Sequence, residues 1–205
     1  MAELIEAVTG FKAAADQVVT SADAAARLLR DTRPPTFVLG GNGITDALLR
    51  NDIPVVTSSN EARAVVVGLA TALTYDWLRD AANAVRAGAR LVATNHDATY
   101  PAEHDLWPGA GAILAAVEVA SGVKAEIAGK PFAPMRNLLK ELLGPGQVWV
   151  IGDRPDTDLG LAAAEPGWRS ALVLTGVVTP ENGVEPIPDM IAADLASVVE
   201  VLLQK

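Results

Sequence analysis

The sequence contains no cysteine and few aromatic or basic residues. Without cysteine the chain cannot form a disulfide bond, a thiolate zinc site or a cysteine nucleophile. It has 16 Lys and Arg against 25 Asp and Glu, a formal charge of −9, and no basic run. This charge balance disfavours nucleic acids and anionic membranes as partners. Aromatic residues make up only 4% of the 205 residues, so the core has to consist mainly of Ala, Val and Leu.

Long apolar runs and a targeting signal are missing as well. No apolar run is long enough to cross a bilayer. The opening stretch MAELIEAV does not place a cationic segment before an apolar one, as a signal peptide does. We therefore expect a cytoplasmic protein that does not associate with membranes.

The sequence does contain a regular alternation of apolar strand-like runs and amphipathic helical segments. The clearest predicted strands are PTFVLGG, ARAVVVGLA, RLVATN, KAEIAGK, QVWVIGD and SALVLTG. Near-continuous apolar strands separated by helices are typical of parallel sheets that are covered on both faces. The alternation predicts the α/β fold class. A cluster of Pro, Gly and acidic residues in HDATYPAEHDLWPGAG predicts a domain boundary near Leu106.

Three aspartates follow the apolar run that ends at Gly152, namely Asp153, Asp156 and Asp158. Open parallel sheets bind ligands at the carboxyl ends of their strands. Asp153 and Asp158 lie across a loop that enters a predicted helix, so both can face one ion. Carboxylate ligands without Cys or a His cluster favour magnesium. The alternative is that Asp156 and Asp158 are acidic residues at a helix start, where such residues are common.

Lys130 follows another predicted strand, in the stretch EIAGKPFAP. A lysine at a strand end can pair with a phosphoryl group as a point charge. A single lysine is more often a solvated surface residue. The order is therefore the informative feature, because a strand-end lysine precedes a strand-end acid cluster along the chain.

This ordered pair resembles the third and fourth motifs of the haloacid dehalogenase (HAD) superfamily. The matching stretches are GKP and VIGDRPDTDLGLAAAEPGWRSALVLTGV. More narrowly, they resemble the large-cap nitrophenylphosphatase branch, which includes sugar-phosphate and glycerol-phosphate phosphatases, and the resemblance covers nearly the whole chain. It implies a Rossmannoid parallel-sheet core together with an α/β cap domain. Residues 1–18 would be a residual core helix, 19–106 the cap, and 107–205 the C-terminal part of the core.

The resemblance also implies a reaction and a set of site residues. Members of the family hydrolyse small phosphorylated metabolites through an aspartyl-phosphate, with magnesium and the motif lysine offsetting the phosphoryl charge. Carried over by position, Lys130 is that lysine, Asp153 is a magnesium ligand, and Asp158 holds metal-bound water or completes the shell. The stretch TNHDATYP matches the substrate-facing loop of the cap, with Asn95 and Asp97 as substrate contacts. A homodimer through the cap is implied by the resemblance alone.

One part of the family pattern has no counterpart in this sequence. The DxDGT motif, which carries the nucleophile, does not occur, and neither does the Ser or Thr of the second motif. Two strands from the middle of the family's core sheet are therefore expected to be missing. The strands that hold Lys130 and Asp153 would then lose their shared neighbour and expose apolar edges.

Three explanations for the missing motif stay open at this point. The chain is a fragment or has a wrongly assigned start, it is a truncated binding or regulatory module, or another chain supplies the missing strands. Without that motif, the chain is expected not to form an aspartyl-phosphate. The leading hypothesis is a HAD-type, magnesium-dependent phosphatase that lacks its nucleophile segment here. The alternative is a catalytically inactive HAD-like binding or regulatory module.

Overall fold

The structure is a computed structural model that describes residues 2–102, 104–176 and 183–204. The chain divides into two compact units, Met1–Gly129 and Lys130–Lys205. Each unit is built around its own parallel sheet. No helix in the described part of the chain is both long and apolar enough to span a bilayer.

The first unit contains a five-stranded sheet in the order β2-β1-β3-β4-β7, and every neighbouring pair is parallel. A separate antiparallel ribbon is formed by β5 and β6. The strands are β1 (Thr36–Leu39), β2 (Val55–Val56), β3 (Ala64–Val67), β4 (Arg90–Ala93), β5 (Thr99–Pro101), β6 (Leu106–Pro108) and β7 (Glu126–Ile127). The helices are α1 (Ala2–Thr9), α2 (Ser21–Leu29), α3 (Asn42–Arg50), α4 (Tyr75–Arg86) and α5 (Ala110–Ser121), with short 3₁₀ turns at Ala15–Gln17 and Ser59–Glu61.

One hydrophobic cluster of the first unit lies between its sheet and helices α4 and α5. Residues of β1 and β3 are buried at all four positions of each strand, as expected for interior strands of a covered parallel sheet. Because side chains alternate across a strand, Phe37 and Leu39 share a face, and they belong to one cluster with Val85 of α4 and Val117 of α5. Aliphatic side chains thus supply most of this core, in keeping with the scarcity of aromatic residues.

The second unit contains a three-stranded parallel sheet in the order β10-β9-β8. Its strands are β8 (Trp149–Gly152), β9 (Arg169–Val173) and β10 (Met190–Ala192). Its helices are α6 (Ala133–Leu142), α7 (Gly160–Ala163) and α8 (Leu195–Leu203), and a π-helical turn spans Pro155–Leu159. A small core joins Ala171 and Val173 of β9 to Val198 of α8.

The α/β class with parallel sheets is confirmed by this architecture. The compact units divide after Gly129, later in the chain than the domain boundary predicted near Leu106. Two contacts account for the difference. Helix α5 contributes Ile113 and Leu114 to the core of the first unit, and β7 pairs with β4 of its sheet.

Candidate active site

Asp153 stands at the carboxyl end of β8, because that strand ends at Gly152. Its side chain is half-buried. The loop that follows β9 reaches the same place, where Gly176 lies against the Asp153 carboxylate. A Cβ atom at Gly176 would overlap that carboxylate, so the close approach requires glycine. The ends of two neighbouring strands therefore meet at Asp153.

The π-helical turn brings Asp158 back toward the same strand end. The Asp158 backbone N–H donates to the Arg154 carbonyl over 2.8 Å, and the Arg154 N–H donates to Oδ2 of Asp158 over 3.2 Å. Gly152 makes room for this return, since a Cβ there would collide with the Asp158 side chain. Asp158 is buried, whereas Asp156 on the same turn is exposed. Single π-helical turns occur frequently at functional sites.

Lys130 contacts this acid cluster directly. Its Nζ donates to Oδ1 of Asp158 over 2.6 Å. The Lys130 side chain is 47% exposed and that of Asp158 8% exposed. An ammonium group has three donors, so Lys130 can hold Asp158 and still present donors to an anion from solution. The structure thus brings together two residues that the sequence could place only in order along the chain.

Two carboxylates fit part of a magnesium site. Both oxygens of Asp158 already accept a hydrogen bond, from Lys130 and from the Arg154 N–H. Each carboxylate oxygen has a second lone pair, so acceptor capacity remains. Magnesium is commonly held by one or two carboxylates and keeps several waters. Among residues 2–102, 104–176 and 183–204, no group of three or more His, Cys, Asp or Glu side chains could hold a metal by itself.

Asn95 and Asp97 belong to the first unit, in the loop after β4. The Asp97 N–H donates to Oδ1 of Asn95 over 3.3 Å, and both residues are half-buried, whereas His96 between them is exposed. The loop backbone is fixed to the start of α5, where the Gly111 N–H donates to the Asp97 carbonyl over 2.9 Å. Their substrate contacts stay a prediction.

The sequence did not reveal the glycines that leave room for the loop carbonyls and for the aspartate side chains. A Cβ at Gly109 would collide with the Asp97 carbonyl, and a Cβ at Gly111 with the His96 carbonyl. In the second unit, a Cβ at Gly152 would collide with the Asp158 side chain, and a Cβ at Gly176 with the Asp153 carboxylate. A glycine at the end of a predicted strand is a weak signal in one sequence, because it also fits an ordinary turn.

A cavity of about 540 Å³ also lies in the second unit. It runs beside β8, from Val148 to Ile151, and Lys130 and Asp158 contribute to its wall. The rest of the wall is largely apolar, formed by residues that include Leu139, Leu143, Leu161 and Trp168. The candidate site therefore opens onto an apolar groove.

Comparison with known proteins identifies relatives over most of the chain. A family model for HAD-hydrolase-like proteins matches residues 127–198. D-glycerol 3-phosphate phosphatase of Mycobacterium tuberculosis is 39% identical over 199 residues, which cover 92% of this chain and 55% of that protein. Acid sugar phosphatase of Staphylococcus saprophyticus is 36% identical over 177 residues, which cover 84% of this chain and 68% of that protein.

Solved structures share the fold as well. The calcium complex of a glycerol phosphate phosphatase from Mycobacterium tuberculosis matches with a TM-score of 0.88 and 34% identity, covering 96% of this chain and 60% of that one. The same phosphatase has also been solved with magnesium, with a TM-score of 0.85 and 35% identity, covering 94% of this chain and 60% of that one. The chain therefore spans only about half to two thirds of the length of these relatives.

Proposed function

The chain belongs to the HAD-like hydrolase family, and we propose that Lys130, Asp153 and Asp158 form one half of a phosphomonoesterase site. The observation that carries this proposal is the 2.6 Å contact between Lys130 Nζ and Asp158 Oδ1 beside Asp153 at the end of β8. It joins a cation suited to a phosphoryl group with carboxylates suited to magnesium.

Each of these three residues has a separate task in the proposal. Asp153 holds the magnesium, whose positive charge, when it is bound, offsets the negative charge that develops on a phosphoryl group. Lys130 binds phosphoryl oxygens with the donors that Asp158 leaves available. Asp158 orients Lys130 and would hold a water of the metal or complete its shell.

The proposed substrates are small phosphorylated polyols or sugars. The names of the relatives, glycerol 3-phosphate phosphatase and acid sugar phosphatase, support this class. Asn95 and Asp97 are the proposed substrate contacts, on a loop that α5 holds in place. A homodimer through the cap is a further part of the proposal, which light scattering of the purified chain would test.

The nucleophile is proposed to lie outside these 205 residues, because the sequence contains no DxDGT motif. The site present here would then bind metal and phosphate without forming an aspartyl-phosphate. If the missing segment is never supplied, the chain acts as a binding or regulatory module, which is the competing proposal.

Metal binding is the first experiment for this proposal. Paramagnetic Mn²⁺, used as a stand-in for magnesium, should broaden the amide signals of residues 153–158 in NMR spectra of the chain. Asp153→Asn should weaken Mn²⁺ binding at least about tenfold, because it replaces a charged carboxylate ligand by a neutral amide. Asp156→Asn is the matched control, because Asp156 lies on the same turn but is exposed. Equal losses in the two variants, or no broadening at all, would contradict the proposed site.

Phosphate release tests the proposed absence of the nucleophile. With p-nitrophenyl phosphate or glycerol 3-phosphate and magnesium, the chain alone should release no more phosphate than its Asp153→Ala variant. Magnesium-dependent release that EDTA and Asp153→Ala both abolish would show that a nucleophile is present after all. Metal binding without release would leave the half-site proposal intact, so the two experiments fail independently.

A further inference from the structure

Helix α6 carries two cations that bind the same carboxylate. Arg136 and Lys140 are four residues apart on α6, so they share one face of that helix. Arg136 Nε lies 3.3 Å from Oε2 of Glu165, and Lys140 Nζ donates to Oε1 of Glu165 over 2.6 Å. Glu165 stands just after α7, where its N–H donates to the Ala162 carbonyl over 3.0 Å. The Glu165 carboxylate therefore joins α6 to the end of α7.

The two ion pairs differ in their exposure to water. The side chains of Arg136 and Glu165 are 19% and 17% exposed, whereas that of Lys140 is 50% exposed. Partly buried pairs are screened by salt much less than exposed ones, and an exposed pair contributes little. The Arg136–Glu165 pair is therefore the stronger connection between the two helices.

Arg136 also binds the loop that carries Lys130. Its Nη1 donates to the Pro131 carbonyl over 3.5 Å, at the long end for a hydrogen bond. A guanidinium presents five donors in a planar fork, so one group can bind Glu165 and Pro131 together. Pro131 also lies against the start of α7, since a Cβ at Gly160 would come within 3.2 Å of the Pro131 Cβ. The backbone next to Lys130 is thus contacted from two sides.

The same two helices follow the two partners of the Lys130–Asp158 contact. Lys130 lies shortly before α6, and Asp158 lies on the π-helical turn that runs directly into α7. A bond between α6 and α7 therefore limits how far Lys130 and Asp158 can move apart. Arg136 adds to this restraint because it binds both the end of α7 and the loop beside Lys130.

We propose that Arg136 is a positioning residue, which holds Lys130 against Asp158 by binding Glu165 and the Pro131 carbonyl at the same time. The inference rests on the proposed function, in which Lys130 binds phosphoryl oxygens. An ammonium group that is already held in place loses less conformational freedom when an anion binds, so the anion binds more tightly. Arg136 acts only through Lys130 and does not itself bind the anion.

NMR of the Lys130 ammonium group tests this positioning directly. The scalar coupling between Lys130 Nζ and Asp158 Cγ reports the hydrogen bond that joins them, and it should be measurable in the unmodified chain. Arg136→Met removes every donor but keeps an unbranched apolar side chain, and in this variant the coupling should disappear. Titration with inorganic phosphate, followed by the Lys130 ammonium signal, should show an affinity at least about threefold weaker, as expected for the loss of one hydrogen bond.

Lys140→Met is the matched control. It removes the same charge from the same helix face and from the same carboxylate, but of the two cations Arg136 is the one that donates to Pro131. The coupling should persist in Lys140→Met, and the phosphate affinity should stay within about twofold of that of the unmodified chain.

Arg136→Lys separates position from charge and stability. Lysine keeps the positive charge near Glu165, but its single nitrogen is a point charge without the planar fork. This variant should unfold at the same urea concentration as the unmodified chain, and yet lose the coupling and bind phosphate as weakly as Arg136→Met. It also decides the matter if Arg136→Met fails to fold.

Three results would overturn the proposal. The first is an unmodified chain without the coupling, or an Arg136→Met variant that retains it. The second is an equal loss of coupling in Arg136→Met and Lys140→Met, which would assign the effect to charge alone. The third is full coupling and full phosphate affinity in Arg136→Lys. Absence of phosphate binding in the unmodified chain would instead contradict the proposed function, and the coupling would still decide the role of Arg136.

Discussion

The two parallel sheets differ in how their edges are closed. In the first unit, β1 and β3 are buried at every position, and two-residue strands, β2 and β7, form the edges. In the second unit, β8 is itself an edge and is only half-buried. Interior strands are covered because each has a neighbour on both sides. The comparison shows that a similar alternation of strands and helices can bury the central strands in one unit and leave an apolar strand half-buried at the sheet edge in the other.

The candidate site lies in the open unit. Lys130, Asp153 and Asp158 all belong to it, and Lys130 and Asp158 line the cavity beside β8. Four sets of substitutions in the two units, taken from the largest expected effect to the smallest, would sharpen or break this contrast.

Removing a side chain from each sheet should have the largest and most unequal effect. Leu39 on β1 is completely buried, so Leu39→Ala should lower the free energy of unfolding of the first unit by about 3 kcal/mol. Ile151 on β8 is half-buried, so Ile151→Ala should cost the second unit about 1 kcal/mol. Urea unfolding followed by circular dichroism measures both. Equal losses would mean that β8 is as well covered in solution as β1.

Filling the space at Gly152 should have an intermediate effect. An added Cβ collides with the Asp158 side chain, so Gly152→Ala should lower stability by about 2 kcal/mol and displace Asp158 from Lys130. Gly144→Ala is the control in the same unit, because its Cβ would meet nothing within 4 Å. That change should alter stability by no more than about 0.5 kcal/mol. The Mn²⁺ broadening at residues 153–158 should weaken only in Gly152→Ala.

The stability contributed by acidic residues at helix starts should depend weakly on pH. Burial opposes ionisation of Asp23, but hydrogen bonds from the Thr20 hydroxyl and N–H and from Arg50 outweigh it, so the pKa of Asp23 is lowered. A lowered pKa in the folded state adds stability above the ordinary value near 3.8, and this stability is lost as the pH falls through the folded-state pKa. Asp23→Asn should therefore cost about 1 kcal/mol at neutral pH and progressively less as the pH falls through the folded-state pKa.

Asp194 at the start of α8 provides the smallest effect of the series. The Ser197 N–H and hydroxyl donate to its carboxylate and lower the pKa of Asp194. Asparagine caps helices about as well as aspartate, so Asp194→Asn should keep α8 intact and remove only the pH dependence. Amide exchange of Ser197 between pH 5 and about pH 2 measures this. Loss of the helix in Asp194→Asn would contradict the capping role.

Much of the fold could be predicted because strand and helix periods are local properties of the sequence. The runs TFVL and AVVV became buried strands in a parallel sheet, as predicted. The division into units could not be placed from composition alone. The Pro- and Gly-rich stretch near Leu106 forms part of the β5–β6 ribbon of the first unit, and the packing of α5 places the division after Gly129.

The candidate site was predictable in its residue types and not in its geometry. The order of Lys130 before the aspartates pointed to the family, and the relatives confirm it. The sequence predicts a loop that enters a regular helix after Asp153, whereas a π-helical turn begins at Pro155 and returns Asp158 to the strand end. Only glycines at positions 152 and 176 permit that arrangement, and nothing local distinguishes them from turn glycines.

The sequence by itself determined the α/β class, the parallel strands and the family, because these follow from periodicity and from residues in a fixed order. Tertiary structure alone decided which carboxylate meets Lys130, where the units divide, and which strand is left at an edge. Those properties depend on contacts between residues far apart in the chain. The Lys130–Asp158 contact joins residues 28 positions apart, and the open edge of β8 is defined by a neighbour that no described strand supplies.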